Sequence, residues 1–150
     1  MASDNDSSVQ ILLKAWETHQ SLARSSGDAA WKLRTWAITV WSGLVAFAYT
    51  SKSVQIVVVA MFVLAVAGII ELAWRQIQYS YIARSIEIEA SLNDALVGEL
   101  PRRPAMGVST NIATPNLQDL KKLLTMARWL IWFPYLVLEA LSLVLLYLES

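Results

Sequence analysis

Glu139 has the most chemically demanding setting in the chain, as the single charge between Trp129 and Leu148 in a stretch holding twelve Leu, Ile, Val or Phe residues. Counted from Arg128 at about 1.5 Å per residue, it would lie about 16 Å along a helix, near the middle of a ~30 Å hydrocarbon layer. An acid at that depth is costly and marks an ion or proton route, or a polar contact between helices. Tyr135 and Ser142, four residues before and three after, share its helical face. An earlier uncharged stretch carries Thr35, Thr39, Ser42, Gly43, Ala46 and Thr50 at helical spacing. Small and hydroxylated residues so placed let helices approach and hydrogen-bond. Ser42 and Gly43 fall near the depth of Glu139, where no cation is at hand because Arg34 and Arg128 both sit at the edge of their stretches. The expected pore-lining or assembly set is therefore Glu139, Tyr135, Ser142, Thr35, Thr39, Ser42, Gly43 and Ala46. Within it, Glu139 glues the third stretch to the first, lines a water-filled path in an oligomer, or relays protons.

The remaining candidates are weaker. Glu71 has Arg75 four residues on, so the two can satisfy each other, a structural pairing. Glu87, Glu89, Asp94 and Arg84 read as a solvated helix face. Arg102 and Arg103 offer a contact for a partner, an anionic lipid or a phosphate. His19 stands alone and is expected to be exposed. The chain has no cysteine. It also carries no Gly-rich phosphate loop, no Ser-His-Asp set and no metal-ligand spacing, so neither an enzyme, nor a cofactor, nor a metal is expected.

The elements that must position these residues follow from composition. Of the 150 residues 56% are hydrophobic, above the ~45–50% of an ordinary soluble domain. Twelve Lys plus Arg balance twelve Asp plus Glu, which gives no electrostatic case for nucleic acid. No charge occurs from Thr35 to Ser51 or from Ser53 to Ile70, and Lys52 alone separates the two. Each stretch approaches the roughly 20 apolar residues a crossing needs, so they predict a tight antiparallel hairpin with Lys52 at its tip. Trp129–Leu148 predicts a third span. Its apolar residues, at about −0.3 to −0.6 kcal/mol each, outweigh one central acid at about +3 kcal/mol.

Cations set the orientation, because Lys and Arg flanking spans stay on the cytoplasmic side. Lys14, Arg24, Lys32 and Arg34 precede the first span, and Arg75, Arg84, Arg102, Arg103, Lys121, Lys122 and Arg128 lie between the second and third. Only Lys52 is on the other side. Trp31, Trp36, Trp74, Trp129 and Trp132 cluster at the inner boundary, with Tyr49 and Tyr147 at the outer one. The N-terminus should be cytoplasmic and the C-terminus periplasmic in a bacterial inner membrane. The acidic, polar start, Met1 to Ser8, lacks the basic and apolar pattern of a cleaved signal.

Outside the spans, Val9, Leu12, Leu13, Trp16 and Ala23 predict an amphipathic helix over residues 8–25. Ser25-Ser26-Gly27-Asp28 predicts a bend, with Asp28 as cap of the next helix. No Gly or Pro occurs from Ile69 through Val97, so the second span should continue to about Val97. Beyond Arg75 that extension would run roughly 35 Å. Its stripe of Ile77, Tyr81, Ile88, Leu92 and Ala95 needs a partner, either the N-terminal helix or another subunit. Gly98 should end the helix, and Leu100–Pro115 reads as a long loop. Thr114-Pro115 then starts an interfacial helix striped with Leu117, Leu120, Leu124 and Ala127, and Pro134 should kink the third span.

The expected fold class is thus an all-α membrane protein with three transmembrane helices, an N-terminal amphipathic helix and a long cytoplasmic extension of the second span. Its parts are the cytoplasmic N-terminal helix (1–30), the two-span hairpin (31–74), the cytoplasmic stalk, loop and interfacial helix (75–127) and the third span (128–150).

Two segments carry a resemblance. Trp16 through Arg34 leads into the hairpin, and Trp74-Arg75-Gln76-Ile77-Gln78-Tyr79-Ser80-Tyr81-Ile82-Ala83-Arg84-Ser85-Ile86-Glu87 follows it. Over roughly residues 8–97 this layout resembles small bacterial membrane effectors of the SLATT type, associated with nucleotide-signalling and antiviral operons; the third span is an addition to their two-span pattern. The resemblance implies a homo-oligomeric effector of antiviral defence that forms a pore, or ion channel, in the inner membrane when a soluble signalling or sensor protein releases it. The competing expectations are a non-conducting anchor or accessory subunit that recruits a soluble partner, and a proton-coupled carrier subunit.

Overall fold

The structure is a computed structural model that describes residues 2–97, 121 and 128–149. Among these, regular structure is helical throughout: α1 (Ala2–Ser51), α2 (Val54–Leu96) and α3 (Trp129–Glu149). Two stretches, Val54–Asp94 within α2 and Trp129–Leu148 within α3, are long and apolar enough to cross a membrane. The uncharged half of α1 is not among them, because hydroxyl residues and tryptophans interleave its apolar ones. The expected loop, Thr114-Pro115 and the interfacial stripe lie outside the described residues, as do Gly98, Arg102 and Arg103.

The α1–α2 connection has the expected form. Lys52 adopts a left-handed backbone, φ 51°, and the Ser53 amide reaches back to the Ala48 carbonyl at 3.2 Å. That long bond past a left-handed residue satisfies a carbonyl the helix end would otherwise orphan. The Ser53 carbonyl then accepts the Ile56 amide and opens α2 one residue later. With no Gly or Pro to stop it before Gly98, α2 runs unbroken to Leu96.

The chain folds as two compact units. In the first, the N-terminal part of α1 pairs with the C-terminal part of α2. Buried positions recur at intervals of three and four, Leu12, Ala15, His19, Ala23 and Ser26 on one helix and Tyr81, Ser85, Ile88 and Ser91 on the other. This is the spacing of a two-helix seam. Leu12, Ala15 and Ile88 form its apolar centre, with Trp16 and Leu92 against them. The partner for the α2 stripe is therefore the N-terminal helix of the same chain.

Two expectations fail in this unit. There is no bend at residues 25–28, and Asp28 caps nothing, since α1 passes through as continuous helix. The Ser26 hydroxyl is satisfied by the Leu22 carbonyl of its own helix. Gly27 provides clearance for the side chain of Gln78, whose Nε2 would lie 2.6 Å from an added Cβ. The Ser-Gly cluster is helix, not a turn. His19, expected to be exposed, is 1% exposed and faces the Tyr81 ring at 5.8 Å.

In the second unit α1 from Asp28, α2 up to Gln76 and α3 pack together. Val57, Ala60, Leu64, Ala67 and Glu71 mark the buried face of α2. Ala37, Leu64, Ala67 and Tyr135 make its apolar centre, bordered by Trp41 and Leu138. Small residues at Ala37, Ala60 and Ala67 let the helices approach closely.

Candidate functional site

The polar centre of the second unit is Glu71, which is fully buried. Its Oε1 accepts from Arg34 Nη2 at 2.6 Å and from Arg75 Nε at 3.4 Å. Its Oε2 accepts from Arg34 Nε at 2.9 Å and from the Tyr135 hydroxyl at 2.7 Å. Four donors fill the roughly four lone-pair sites of a carboxylate. Arg34 Nη2 donates again, to the Ile131 carbonyl at 3.0 Å. Ile131 lies three residues before Pro134, whose missing N–H leaves the neighbouring Leu130 carbonyl without its bond from one turn on. Charge, hydrogen bonds and shape thus meet at one point shared by α1, α2 and α3.

The sequence suggested that Arg75 satisfies Glu71. The structure corrects this: Arg34, 37 residues away, makes the close two-pronged contact, and Arg75 is the longer, secondary one. A forked guanidinium holds a carboxylate in fixed geometry where an ammonium could not. Arg34 also lies about 6 Å from the ring centres of Trp31 and Tyr135, within cation–π range. With no free lone pair and no exposure, Glu71 has nothing left to offer a substrate or ion. It is a lock.

One helical turn beyond Tyr135 lies Glu139, and its surroundings are different. Among the described residues no hydrogen bond or ion pair to it is found. It borders a groove of about 310 Å³ between α2 and α3, whose walls include Leu64, Gly68, Ile69, Trp132 and Leu136. The Tyr135 ring lies 3.6 Å from where a Cβ at Gly68 would stand, ordinary van der Waals contact. Glu139 is thus an acid without a partner among the described residues, in a mostly apolar groove where the Nε1 of Trp132 is unpartnered as well.

The residues expected to meet Glu139 are elsewhere. Tyr135 turns to Glu71, while the Ser142 hydroxyl accepts from Trp41 Nε1 at 2.9 Å and donates to the Leu138 carbonyl. Both are buried inside the unit. Thr35, Thr39, Ser42, Gly43 and Ala46 lie on the face of α1 away from buried Ala37 and Ala48, and all are exposed. Their hydroxyls donate to carbonyls one turn back, at Trp31, Thr35 and Ile38 respectively. Space above Gly43 is open to 4 Å. The proposed glue between first and third spans is therefore replaced: α3 meets α1 through Trp41–Ser142 and Arg34–Ile131, and the hydroxyl stripe looks outward.

Trp41 and Arg34 are the functional positions that residue type alone did not single out. Trp41 is not among the boundary tryptophans that the sequence singles out, and an arginine at the edge of an uncharged stretch reads as a topology signal. Only pairing across 101 and 37 residues gives them their roles. No potential metal site of three or more His, Cys, Asp or Glu occurs among the described residues. No protein-family model, no curated protein and no solved structure matches this chain.

Proposed function

We propose that the chain is a three-span subunit of a bacterial inner-membrane effector that assembles with copies of itself into a pore. The observation that carries this reading is the placement of Glu139 and the α1 hydroxyl stripe on different faces of one unit. Ser142 is level with Trp41 through their hydrogen bond, so Glu139, three residues earlier or about 4.5 Å, stands level with Ile38 and Thr39. An unpartnered acid on one side and, on another, the exposed Thr39 at its height with the open Gly43 about one turn further are complementary between neighbours. Contacts between unlike faces propagate head to tail, and close into rings when the rotation permits.

Such a ring brings one Glu139 from every subunit to the seams of the assembly, and rings of acids favour cations. The lipid bilayer supplies the other partner. Phe62, Ile69, Leu136 and Leu143 are more than half exposed on α2 and α3, an apolar surface that water would disfavour and lipid accepts. The uncharged half of α1 completes the third crossing as part of the hairpin, with Lys52 outside and the termini on opposite sides. The layout that resembles SLATT-type effectors supports antiviral defence as the setting.

One observation favours the alternative of a non-conducting anchor. Ile11, Leu13 and Ile86 are exposed on the first unit, where a soluble sensor protein could dock. Expression with a membrane-potential dye separates the two readings. Depolarisation, together with a detergent-extracted particle heavier than one subunit, supports the pore. A monomeric particle overturns it, and silence with a co-purifying partner favours the anchor.

A further inference from the structure

His19 stands apart from the membrane reading, in the first unit. Its ring is buried between α1 and α2, and its Nδ1 has no hydrogen-bond partner among the described residues. Trp16, one turn earlier on the same face, leaves its Nε1 equally unpartnered. The neighbours of His19 on its own helix at three and four residues' distance are Ala15, Trp16, Leu22 and Ala23, none of which titrates in the physiological range. From α2, Tyr81 faces the ring, and the charge that acts on it is the Arg84 guanidinium. Ser85 beside them is occupied by Gln20, whose Nε2 donates to its hydroxyl at 3.0 Å. Glu87 and Glu89 are exposed.

A neutral imidazole fits this seam as a flat, mostly apolar body. An imidazolium does not, because it would bury a positive charge near a guanidinium with no anion set against it among the described residues. We propose that His19 is a proton-sensitive latch, holding the N-terminal part of α1 against the C-terminal part of α2 while neutral and releasing it when protonated.

The direction of the pH effect follows. Burial, and secondarily Arg84, hold the His19 pKa below the usual 6.5 in the paired state. Separated helices therefore bind more protons than paired ones, so pairing gains stability as pH rises. Its full contribution is present above about 6.5 and is lost progressively as pH falls from there towards the depressed value. Each unit of depression corresponds to about tenfold in the pairing equilibrium. This device is independent of whether the protein conducts ions.

The chain's lack of cysteine makes the test direct. Spin labels on Gln10→Cys and Glu89→Cys, both exposed positions, report the distance between the two helices in the full-length protein in lipid nanodiscs. The latch gives one short distance at about pH 7.5 and a broadened, longer distribution at about pH 5.5. With His19→Gln added, the short distance persists at both. Identical wild-type distances at the two pH values overturn the proposal, as does a pH response that survives His19→Gln. Should that variant fail to fold, imidazole NMR of the wild type reads the same quantity. A midpoint below 6.5 that coincides with helix release supports the latch, and a midpoint at or above 6.5 overturns it.

Discussion

The Tyr135 hydroxyl donates to Glu71 Oε2 at 2.7 Å, tying α3 to a carboxylate that Arg34 of α1 already grips with two hydrogen bonds. A buried ion pair by itself is weak evidence of stability, because desolvation offsets much of its attraction. Its geometry is what matters here. Only one rotation and one vertical register of the three helices bring these side chains together, so the network selects an arrangement that apolar packing alone would leave loose.

Removing one partner should therefore cost far more than removing the pair. Glu71→Ala leaves the Arg34 charge buried and should destabilise the protein by about 3–5 kcal/mol. Combined with Arg34→Leu, most of that loss should return, although the three-helix register becomes less unique. Thermal unfolding in a mild detergent checks the ordering, and a double variant no better than Glu71→Ala contradicts it.

Tyr135→Phe deletes a hydrogen bond to a charged group and should cost roughly 1.5–3 kcal/mol. Ser142→Ala deletes the bond between neutral groups with Trp41 at little change in volume, so a smaller loss of about 0.6 kcal/mol is expected. Denaturation of the two variants side by side tests this ranking, and equal losses contradict it.

Much of this fold was legible in the sequence and some of it could not be. The hairpin at Lys52 and the reach of α2 to Leu96 follow from local facts, the position of one charge and the absence of Gly and Pro. The partner of Glu71 did not, since a helix advertises its neighbours at four residues and hides one 37 residues away. Local reasoning also misled at Gly27, because a Ser-Gly cluster looks the same whether it breaks a helix or clears space for Gln78. The burial of His19 was invisible for a related reason: its stripe is legible, but one residue on a stripe's border can fall either way.

Gly27 supplies the next expectation. Gly27→Leu should loosen the α1–α2 pairing of the first unit by about 1–3 kcal/mol, the cost of overpacking a close contact. Gln78→Ala in the same chain should restore much of it by clearing the space. The spin-label distances described for His19 measure both, and a Gly27→Leu protein with unchanged distances and stability rules the contact out as a constraint.

Lys52 holds a left-handed conformation that costs an ordinary residue about 1–2 kcal/mol and glycine almost nothing. Lys52→Gly should raise the unfolding midpoint, whereas Lys52→Val, branched at Cβ, should lower it. Equal midpoints for the two would show that the turn is free to adopt another conformation.

The proposed pore makes Glu139 the residue on which conduction depends. Purified protein in sealed lipid vesicles should leak monovalent cations, and Glu139→Leu should insert to the same extent yet reduce the leak to that of empty vesicles. Equal flux through the two proteins, or no flux through the wild type at any protein density, contradicts the pore.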